Sequence, residues 1–291
     1  MASVTLVPCG TFSIAASLTR PASEGAVEFD SVLPGNYYAV ATARIPSGGG
    51  TARIVGGRTA FDVGDSDLDR VVIPMSSAID IPGQVMIDGI LDDTAPGHHP
   101  VVTLHNENYR GSDLFVAFRE VFASFSTPER FVINDVIEGD YQVDVTDLPS
   151  GTYVKSIRFG AAELADGMLH LDPRSTDRIE IILGTSGGAL EGIVTDKERR
   201  PVVDTAVALV PDVPHGQRTD LYRNVITDES GRFRLQGIAP GNYLVFAWEE
   251  IEDRSWLDPS FVARNEATGR RIQITDRSRE TVELVAIPFA Y

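Results

Sequence analysis

The sequence predicts an all-β protein made of three similar β-sandwiches in tandem. One sequence motif occurs three times, as VEFDSVLPGNY, FVINDVIEGDY and FRLQGIAPGNY. Its tyrosines, Tyr37, Tyr141 and Tyr243, are about 100 residues apart, which is a common size for one sandwich domain. Short alternating apolar segments dominate over helical periodicity. Hydrophobic residues make up 43% of the chain, which is enough to build real cores.

The third repeat carries the clearest strand pattern. GIVTD at 192–196 opens it, and VVDTAVALVP at 202–211 alternates β-branched and apolar residues up to a proline. TDESGRF at 227–233 is typical of a turn between two strands, because Gly231 can adopt a positive φ. A short helix is predicted within 258–268, where a proline suits the first helical turn.

The first repeat is predicted to lack its opening strand. The second repeat opens with GQVMID at 83–88, whereas the first begins directly at VTLVP, residues 4–8, the counterpart of VALVP at 207–211. A sandwich without that strand exposes a sheet edge and part of its core. This predicts that the chain is the C-terminal portion of a longer protein. The alternative is that a neighbouring segment or a second chain fills the gap by strand addition.

The repeats predict three domains, residues 1–77, 78–185 and 186–291. The connections are short, and GTSGG at 184–188 is flexible by composition. Close spacing predicts modules stacked in a rod, with limited bending at the glycines.

The repeated motif itself predicts a turn followed by a core residue. The glycine of G-N-Y or G-D-Y can take a backbone conformation that other residues resist. Tyr37, Tyr141 and Tyr243 are predicted to bury their rings and to bond their hydroxyls to nearby backbone, as a tyrosine corner does.

These motifs resemble the carboxypeptidase regulatory-like domain, a transthyretin-like, Ig-like β-sandwich related in fold to collagen-adhesin B-type repeats. The resemblance covers the whole third repeat, through GIVTD, VALVP, TDESGRF and GIAPGNY. In the second repeat it covers GQV, FVINDVIEGDY and YVKSIR, and in the first only VTLVP and VLPGNY. The resemblance implies seven-stranded, usually non-catalytic sandwiches, and it implies no functional residues because the matched positions are structural.

The resemblance implies a non-enzymatic structural or ligand-binding segment of a larger exported bacterial cell-envelope protein, without cofactors, that contacts protein or carbohydrate at the cell surface. An extracellular location rests on the resemblance alone. The alternative is a regulatory appendage of a peptidase or other hydrolase whose catalytic domain lies outside this chain. A net charge of −17 argues against nucleic acid and anionic lipid as partners. No stretch approaches the roughly 20 apolar residues of a membrane span.

Four aromatic residues of the third repeat are the candidate ligand-binding residues: Phe246, Trp248, Trp256 and Phe261. Alternate residues of a strand share a face, so Phe246 and Trp248 point away from the core if Tyr243 points into it. Exposed aromatic residues would form a sugar-stacking platform or a protein contact. The alternative is that the segment 251–268 folds back over them, since large exposed apolar patches are rare.

The acidic loop DVGDSDLD at 62–69 is a candidate calcium site, with Asp65, Asp67 and Asp69 as candidate ligands. It lacks the glycine and the glutamate of a helix-loop-helix calcium site. The alternative is a solvated turn before a strand at 70–73.

Two further motifs are interpreted as structural. GTSGG at 184–188 fits G-x-S-x-G, but a strand pattern follows it where a nucleophile elbow needs a helix, so Ser186 is predicted to be a linker residue. His98, His99 and His105 lack the spacing of a zinc site and are predicted to be loop histidines.

Cysteine and lysine are too scarce for covalent cross-links. Cys9 is the single cysteine, so no intrachain disulfide is predicted, and no acid or base stands beside it to activate a thiolate. Lys155 and Lys197 are the two lysines. Lys197 lies in a charged turn and Lys155 has no evident partner, so no internal isopeptide bond is predicted.

Overall fold

The computed structural model shows a chain dominated by β-strands, which confirms the predicted all-β class of tandem sandwiches. The described residues are 2–8, 18–23, 25–46, 52–91, 100–106, 121–122, 124–127, 130–212, 218–252 and 255–288. The predictions for Cys9, His98 and His99 lie outside these ranges. No helix in these ranges is long and apolar enough to cross a membrane.

The first unit contains one sheet, in the order β2-β1-β3-β4-β5. Its strands are β1 (Ala2–Pro8), β2 (Leu18–Ala22), β3 (Gly35–Pro46), β4 (Ala52–Val63) and β5 (Ser76–Ser77). One face of this sheet holds a buried cluster that includes Leu6, Tyr37 and Ala39. Residues of two extended segments, among them Phe29 and Ile73, pack on that face in place of a second sheet.

The second unit is a sandwich of two sheets. Its strands are β6 (Ile79–Asp88), β7 (Val101–Asn106), β8 (Val121–Phe122), β9 (Ser124–Thr127), β10 (Arg130–Val136), β11 (Gly139–Thr146), β12 (Tyr153–Phe159), β13 (Ala162–Glu163), β14 (Met168–Leu171) and β15 (Ile179–Gly184). One sheet has the order β13-β12-β15-β6-β10-β9 and the other β14-β11-β7-β8. Their facing side chains form one core, in which Leu104, Ile133 and Ile181 have no exposed surface.

The third unit repeats this architecture with fewer strands. These are β16 (Gly188–Thr195), β17 (Ala206–Pro211), β18 (Arg223–Ile226), β19 (Arg232–Ile238), β20 (Gly241–Trp248), β21 (Arg270–Ile274) and β22 (Arg279–Val285). The sheets have the orders β19-β16-β22 and β18-β17-β20-β21. The predicted short helix is present as α1 (Pro259–Asn265), with Asp258 as its N-cap.

The opening strand is the central strand of its sheet in both complete units. β6 pairs antiparallel with β10 and parallel with β15. In the same way, β16 pairs antiparallel with β19 and parallel with β22. A glycine of each opening strand lies against an aromatic ring, because a Cβ at Gly83 would overlap the Phe131 ring and one at Gly192 would lie 2.7 Å from the Phe233 ring.

The prediction of a strand at 70–73 is wrong, because these residues pair with no described strand. Residues 70–75 follow β4 in the first unit and are the counterpart of β22, which follows β21 in the third unit. Residues 27–33 precede β3 and are the counterpart of β19, which precedes β20. Both flanking strands of a complete unit bond to its central strand. No described strand takes the central place in the first unit, so neither segment has a backbone to pair with.

The three repeated tyrosines are tyrosine corners, as predicted. Each ring is buried. Each hydroxyl donates to the backbone carbonyl four residues earlier: Tyr37 to Leu33 at 3.0 Å, Tyr141 to Ile137 at 2.9 Å, and Tyr243 to Ala239 at 2.8 Å. The repeated motif therefore forms the same turn and places the same buried tyrosine in the core of each unit.

Candidate functional site

The aromatic residues of the third unit lie in a hydrophobic cluster on the outer face of β17 and β20. Phe246, Trp248 and Trp256 are 1%, 4% and 7% exposed. The Phe246 and Trp248 rings stack with centroids 4.9 Å apart, and Phe261 lies 5.7 Å from Trp248. The side-chain direction predicted from strand alternation is therefore present, but the segment 251–268 covers the face.

Polar contacts order the cover and join it to the sheet. The Asp258 carboxylate accepts from the Ser260 backbone amide at 2.8 Å, which caps α1. Arg271 of β21 donates to Glu266 at 2.5 Å. The burial favours the covering interpretation over an open sugar-stacking platform. A ligand role for the four aromatic residues stays a prediction, and it requires the cover to open.

The acidic loop is exposed to solvent. Asp65, Asp67 and Asp69 all lie on the surface. Within the described ranges no group of three or more His, Cys, Asp or Glu side chains is arranged to hold a metal. Calcium binding by this loop stays a prediction.

The glycine-rich link between the second and third units, predicted to be flexible from its composition, makes several hydrogen bonds. The Ser186 hydroxyl donates to Asp276 at 3.1 Å, and the Arg277 amide donates to the Ser186 carbonyl at 2.9 Å. A Cβ at Gly187 would lie 2.8 Å from the Gly151 carbonyl oxygen. The glycine therefore serves close backbone approach, a role that composition does not distinguish from flexibility.

The junction of the second and third units contains a buried ion pair. Arg218 donates to the two carboxylate oxygens of Asp220 at 2.6 and 2.7 Å, and the two side chains are only 9% and 5% exposed. Arg218 also donates to the Val154 carbonyl of the second unit at 3.2 Å. Burial alone would lower the pKa of Arg218, but the pairing with Asp220 outweighs it and raises that pKa.

Further contacts cross the same junction. The Thr219 hydroxyl donates to Asp144 of the second unit at 2.5 Å, and Asp144 also pairs with His105 at 3.2 Å. Gly237, at φ +63°, brings its Cα so close to the Thr152 carbonyl oxygen that an added Cβ would lie 2.5 Å from it. The two units are therefore in close contact through both side chains and backbone.

The junction of the first and second units uses the same chemistry closer to the surface. Asp140 accepts from Arg58 at 2.5 Å and contacts His170 Nδ1 at 2.7 Å. Burial alone would raise the pKa of Asp140, but the bonds to His170 and Arg58 outweigh it and lower that pKa. Gly56 of β4 allows the Ile137 side chain to approach, since an added Cβ would lie 2.8 Å from its methyl group.

Alkaline pH should destabilise the third unit through Tyr243. Burial raises the pKa of this phenol to about 12. The folded state favours the neutral phenol, so the contribution of Tyr243 to the free energy of unfolding is complete below pH 10. As the pH rises from 10 to 12, the free energy of unfolding should fall by about 2 to 3 kcal/mol. Trp248 and Trp256 both lie in this unit, so denaturant unfolding followed by tryptophan fluorescence measures the loss.

The Tyr243→Phe variant is the control for this prediction. It should cost about 1 kcal/mol near neutral pH by removing the hydroxyl bond to Ala239. It should also flatten the decline between pH 10 and 12, leaving the smaller part due to Tyr222, whose pKa burial also raises. An unchanged decline in the variant would contradict the assignment to Tyr243.

Comparison with known proteins finds no matching family model and no matching curated protein. Several solved structures align at low similarity. The Bacillus anthracis TIE protein is 12% identical, with a TM-score of 0.24, over 98% of this chain and 51% of that one. This chain therefore spans about half the length of that protein.

Two pilins also align. The minor pilin GBS52 of Streptococcus agalactiae is 14% identical over 72% of this chain and 98% of that one, with a TM-score of 0.29. BcpA, the major pilin subunit of Bacillus cereus, is 12% identical over 99% and 93%, with a TM-score of 0.23. TM-scores this low show no shared arrangement, and no functional conclusion depends on them. The two-sheet architecture of the second and third units agrees with an Ig-like sandwich, and no family model supports the specific carboxypeptidase regulatory-like assignment.

Proposed function

We propose that this chain is a non-catalytic structural segment of an exported cell-surface protein, in which tandem β-sandwiches keep a fixed relative orientation and contact other proteins. The buried Arg218–Asp220 pair carries the proposal. Burying two charges is costly unless they are paired and hydrogen-bonded, and a buried pair often adds little net stability over apolar residues of similar volume. Here the pair also bonds to Val154 of the neighbouring unit, so it holds the junction in register.

The location and the domain division are further parts of the proposal. An extracellular location is supported by the resemblance of the third repeat to carboxypeptidase regulatory-like domains. The division into residues 1–77, 78–185 and 186–291 is supported by the sheets, since none of those in the described ranges extends across 77–79 or 184–188. Protein contact is favoured over carbohydrate contact because the candidate aromatic residues lie beneath their cover.

A substitution in the second unit tests the fixed junction. Asp144→Ala removes the acceptor of the Thr219 hydroxyl and should lower the stability of the third unit by about 1 to 2 kcal/mol. Tryptophan fluorescence reads this change across the junction, since both tryptophans lie in the third unit.

Asn134→Ala is the matched control. Asn134 lies exposed on β10 of the same second unit and should leave the third unit's unfolding midpoint unchanged. If Asp144→Ala also leaves it unchanged, the two units are independent and the proposed fixed orientation is wrong.

A further inference from the structure

The third unit leaves one edge of its three-stranded sheet open. In the second unit β12 pairs antiparallel with β15, and β12 belongs to the segment between β11 and β14. In the third unit the corresponding segment, between β20 and β21, forms the cover over the outer face of β17 and β20. β22, the counterpart of β15, therefore pairs with β16 alone in the described ranges. The open edge results from two different uses of one segment within the domain.

The free edge of β22 presents a row of unpaired backbone groups. The Ala286 amide donates to Thr195 at the end of β16, whereas the next amide, of Ile287, donates to Ala247 of β20. Successive residues of a strand direct their N–H and C=O groups to opposite sides. The odd-numbered residues from 279 to 285 therefore direct theirs away from β16, and within the described ranges these groups bond to no other backbone. Such an edge is a template for pairing with another strand.

The side chains along this edge carry opposite charges at symmetric positions. Arg279, Thr281 and Glu283 are exposed on one face of β22. On the same face of this sheet Arg234 and Glu191 pair at 3.1 Å, whereas Arg279 and Glu283 form no ion pair with any side chain of the described residues. Charges of one sign along an edge oppose pairing between copies, but opposite charges placed symmetrically about a central residue favour it.

We infer that β22 pairs antiparallel with β22 of a second copy of this chain, about a twofold axis at Thr281. In this register Arg279 of each copy lies opposite Glu283 of the other, and the two Thr281 residues lie opposite each other. Cross-strand pairs of opposite charge and of threonine both stabilise a sheet. All three positions are odd-numbered, so these pairs also exchange main-chain hydrogen bonds. The three-stranded sheets of the two copies then form one continuous sheet.

The charges select this register over its neighbours. An axis at Val282 would place Arg279 opposite Val285 and leave its charge without a partner. An axis at Glu280 would place two carboxylates directly opposite each other, which is destabilising. Thr281 is therefore the residue about which the strand is self-complementary.

The inference deepens the proposed contact with other proteins, on which it rests, by naming a second copy of the chain as the partner. Its test is self-association through β22, whereas the fixed junction is tested by the stability of Asp144→Ala, so the two ideas fail separately. One strand pair buries far less than the roughly 1,600 Å² of a standard interface, so the dimer should be weak.

Sedimentation equilibrium of the full chain tests the pairing. Salt at about 0.15 M screens the repulsion between two chains of net charge −17 beyond about 8 Å, and we expect a monomer–dimer equilibrium. Arg279→Glu and Glu283→Arg should each weaken the dimer at least about tenfold, because each places like charges opposite each other. Arg232→Glu is the matched control. It reverses an exposed charge on β19, at the other edge of the same sheet, and should leave the dimer unchanged.

The two charge-reversal variants should bind each other although neither binds itself well. In the mixed dimer one copy is acidic at positions 279 and 283 and the other is basic at both, so every cross-strand pair is attractive again. The double variant Arg279→Glu with Glu283→Arg should likewise recover an affinity within about threefold of the native chain. Misfolding of a variant would produce neither recovery.

Hydrogen exchange locates the contact, since the amides of Arg279, Thr281 and Glu283 should become protected as the concentration of the chain rises. Three results would overturn the inference. The first is the absence of a dimer at about 1 mM chain, and the second is a dimer that the charge reversals leave intact. The third is protection of these amides at every concentration, since a segment of the same chain would then occupy the edge.

Discussion

Replacing Asp220 with asparagine lowers the free energy of unfolding of the third unit by about 3 to 5 kcal/mol, because it leaves a buried guanidinium without its counter-charge. Arg218 is 9% exposed and makes both of its short bonds to the Asp220 carboxylate. Its remaining bond to the Val154 carbonyl cannot neutralise the charge. Denaturant unfolding followed by tryptophan fluorescence measures the effect.

A double substitution and a surface control separate the cost of breaking this pair from its net contribution. Arg218→Met with Asp220→Leu removes both charges and should recover most of the loss, since apolar replacements of a buried pair are often close to neutral. Arg200→Met breaks an exposed ion pair with Asp196, in which the Arg200 side chain is 72% exposed. This variant should lower the free energy of unfolding by less than about 1 kcal/mol. A loss of that small size for Asp220→Asn would show that water reaches the pair.

Under the proposed function, the double variant also distinguishes stability from orientation. It should retain the stability of the third unit yet lose the directional bond from Arg218 to Val154. Residual dipolar couplings of the second and third units would then fit one common alignment in the native chain and two in the double variant. A common alignment in both would assign the fixed orientation to the backbone contacts at Gly187 and Gly237.

The fold was predictable because its signals are local. The glycine turn, the alternating strand and the tyrosine are neighbours in sequence, and they produced the three corners at Tyr37, Tyr141 and Tyr243. Comparing the repeats showed that nothing in the first repeat corresponds to GQVMID of the second. The place of that strand in the fold was not predictable, because only the sheet order shows that β6 and β16 are central strands. The unpaired segment at 70–73, predicted as a strand, follows from that order.

The junctions were not predictable because their partners are far apart in sequence. Arg218 lies in the polar stretch HGQRTD, which carries no sign of burial. The paired glycines at 56 and 57 inside a strand were a readable signal, since glycine in a strand often marks the close approach of another group. Gly56 meets Ile137. The alternation of residues along β20 correctly predicted that Phe246 and Trp248 share a face. It could not predict that the segment 251–268 covers this face, because that depends on packing between residues outside the strand.

Replacing Phe246 with alanine should lower the stability of the third unit by about 3 to 5 kcal/mol, because a fully buried ring leaves a cavity. Phe246 is 1% exposed, stacks on Trp248, and would lie 2.7 Å from a Cβ at Gly269, next to the cover. The variant retains both tryptophans, so their fluorescence measures unfolding. Acrylamide should quench Trp256 more strongly as the cover loosens. Ile226→Ala is the control, since Ile226 is 52% exposed and should change stability by about 0.5 kcal/mol or less.

The same variant decides between a core and a binding platform. If the aromatic residues are core, Phe246→Ala loses stability, and soluble glycans leave the tryptophan fluorescence of the native chain unchanged. If they form a platform beneath a cover that opens, glycans quench the native chain, Trp256→Ala abolishes that quenching, and Phe246→Ala weakens it with little loss of stability. The ring contact of Trp248 with Phe261 and the bond from Arg271 to Glu266 favour the first outcome, because both tie the cover to the sheet.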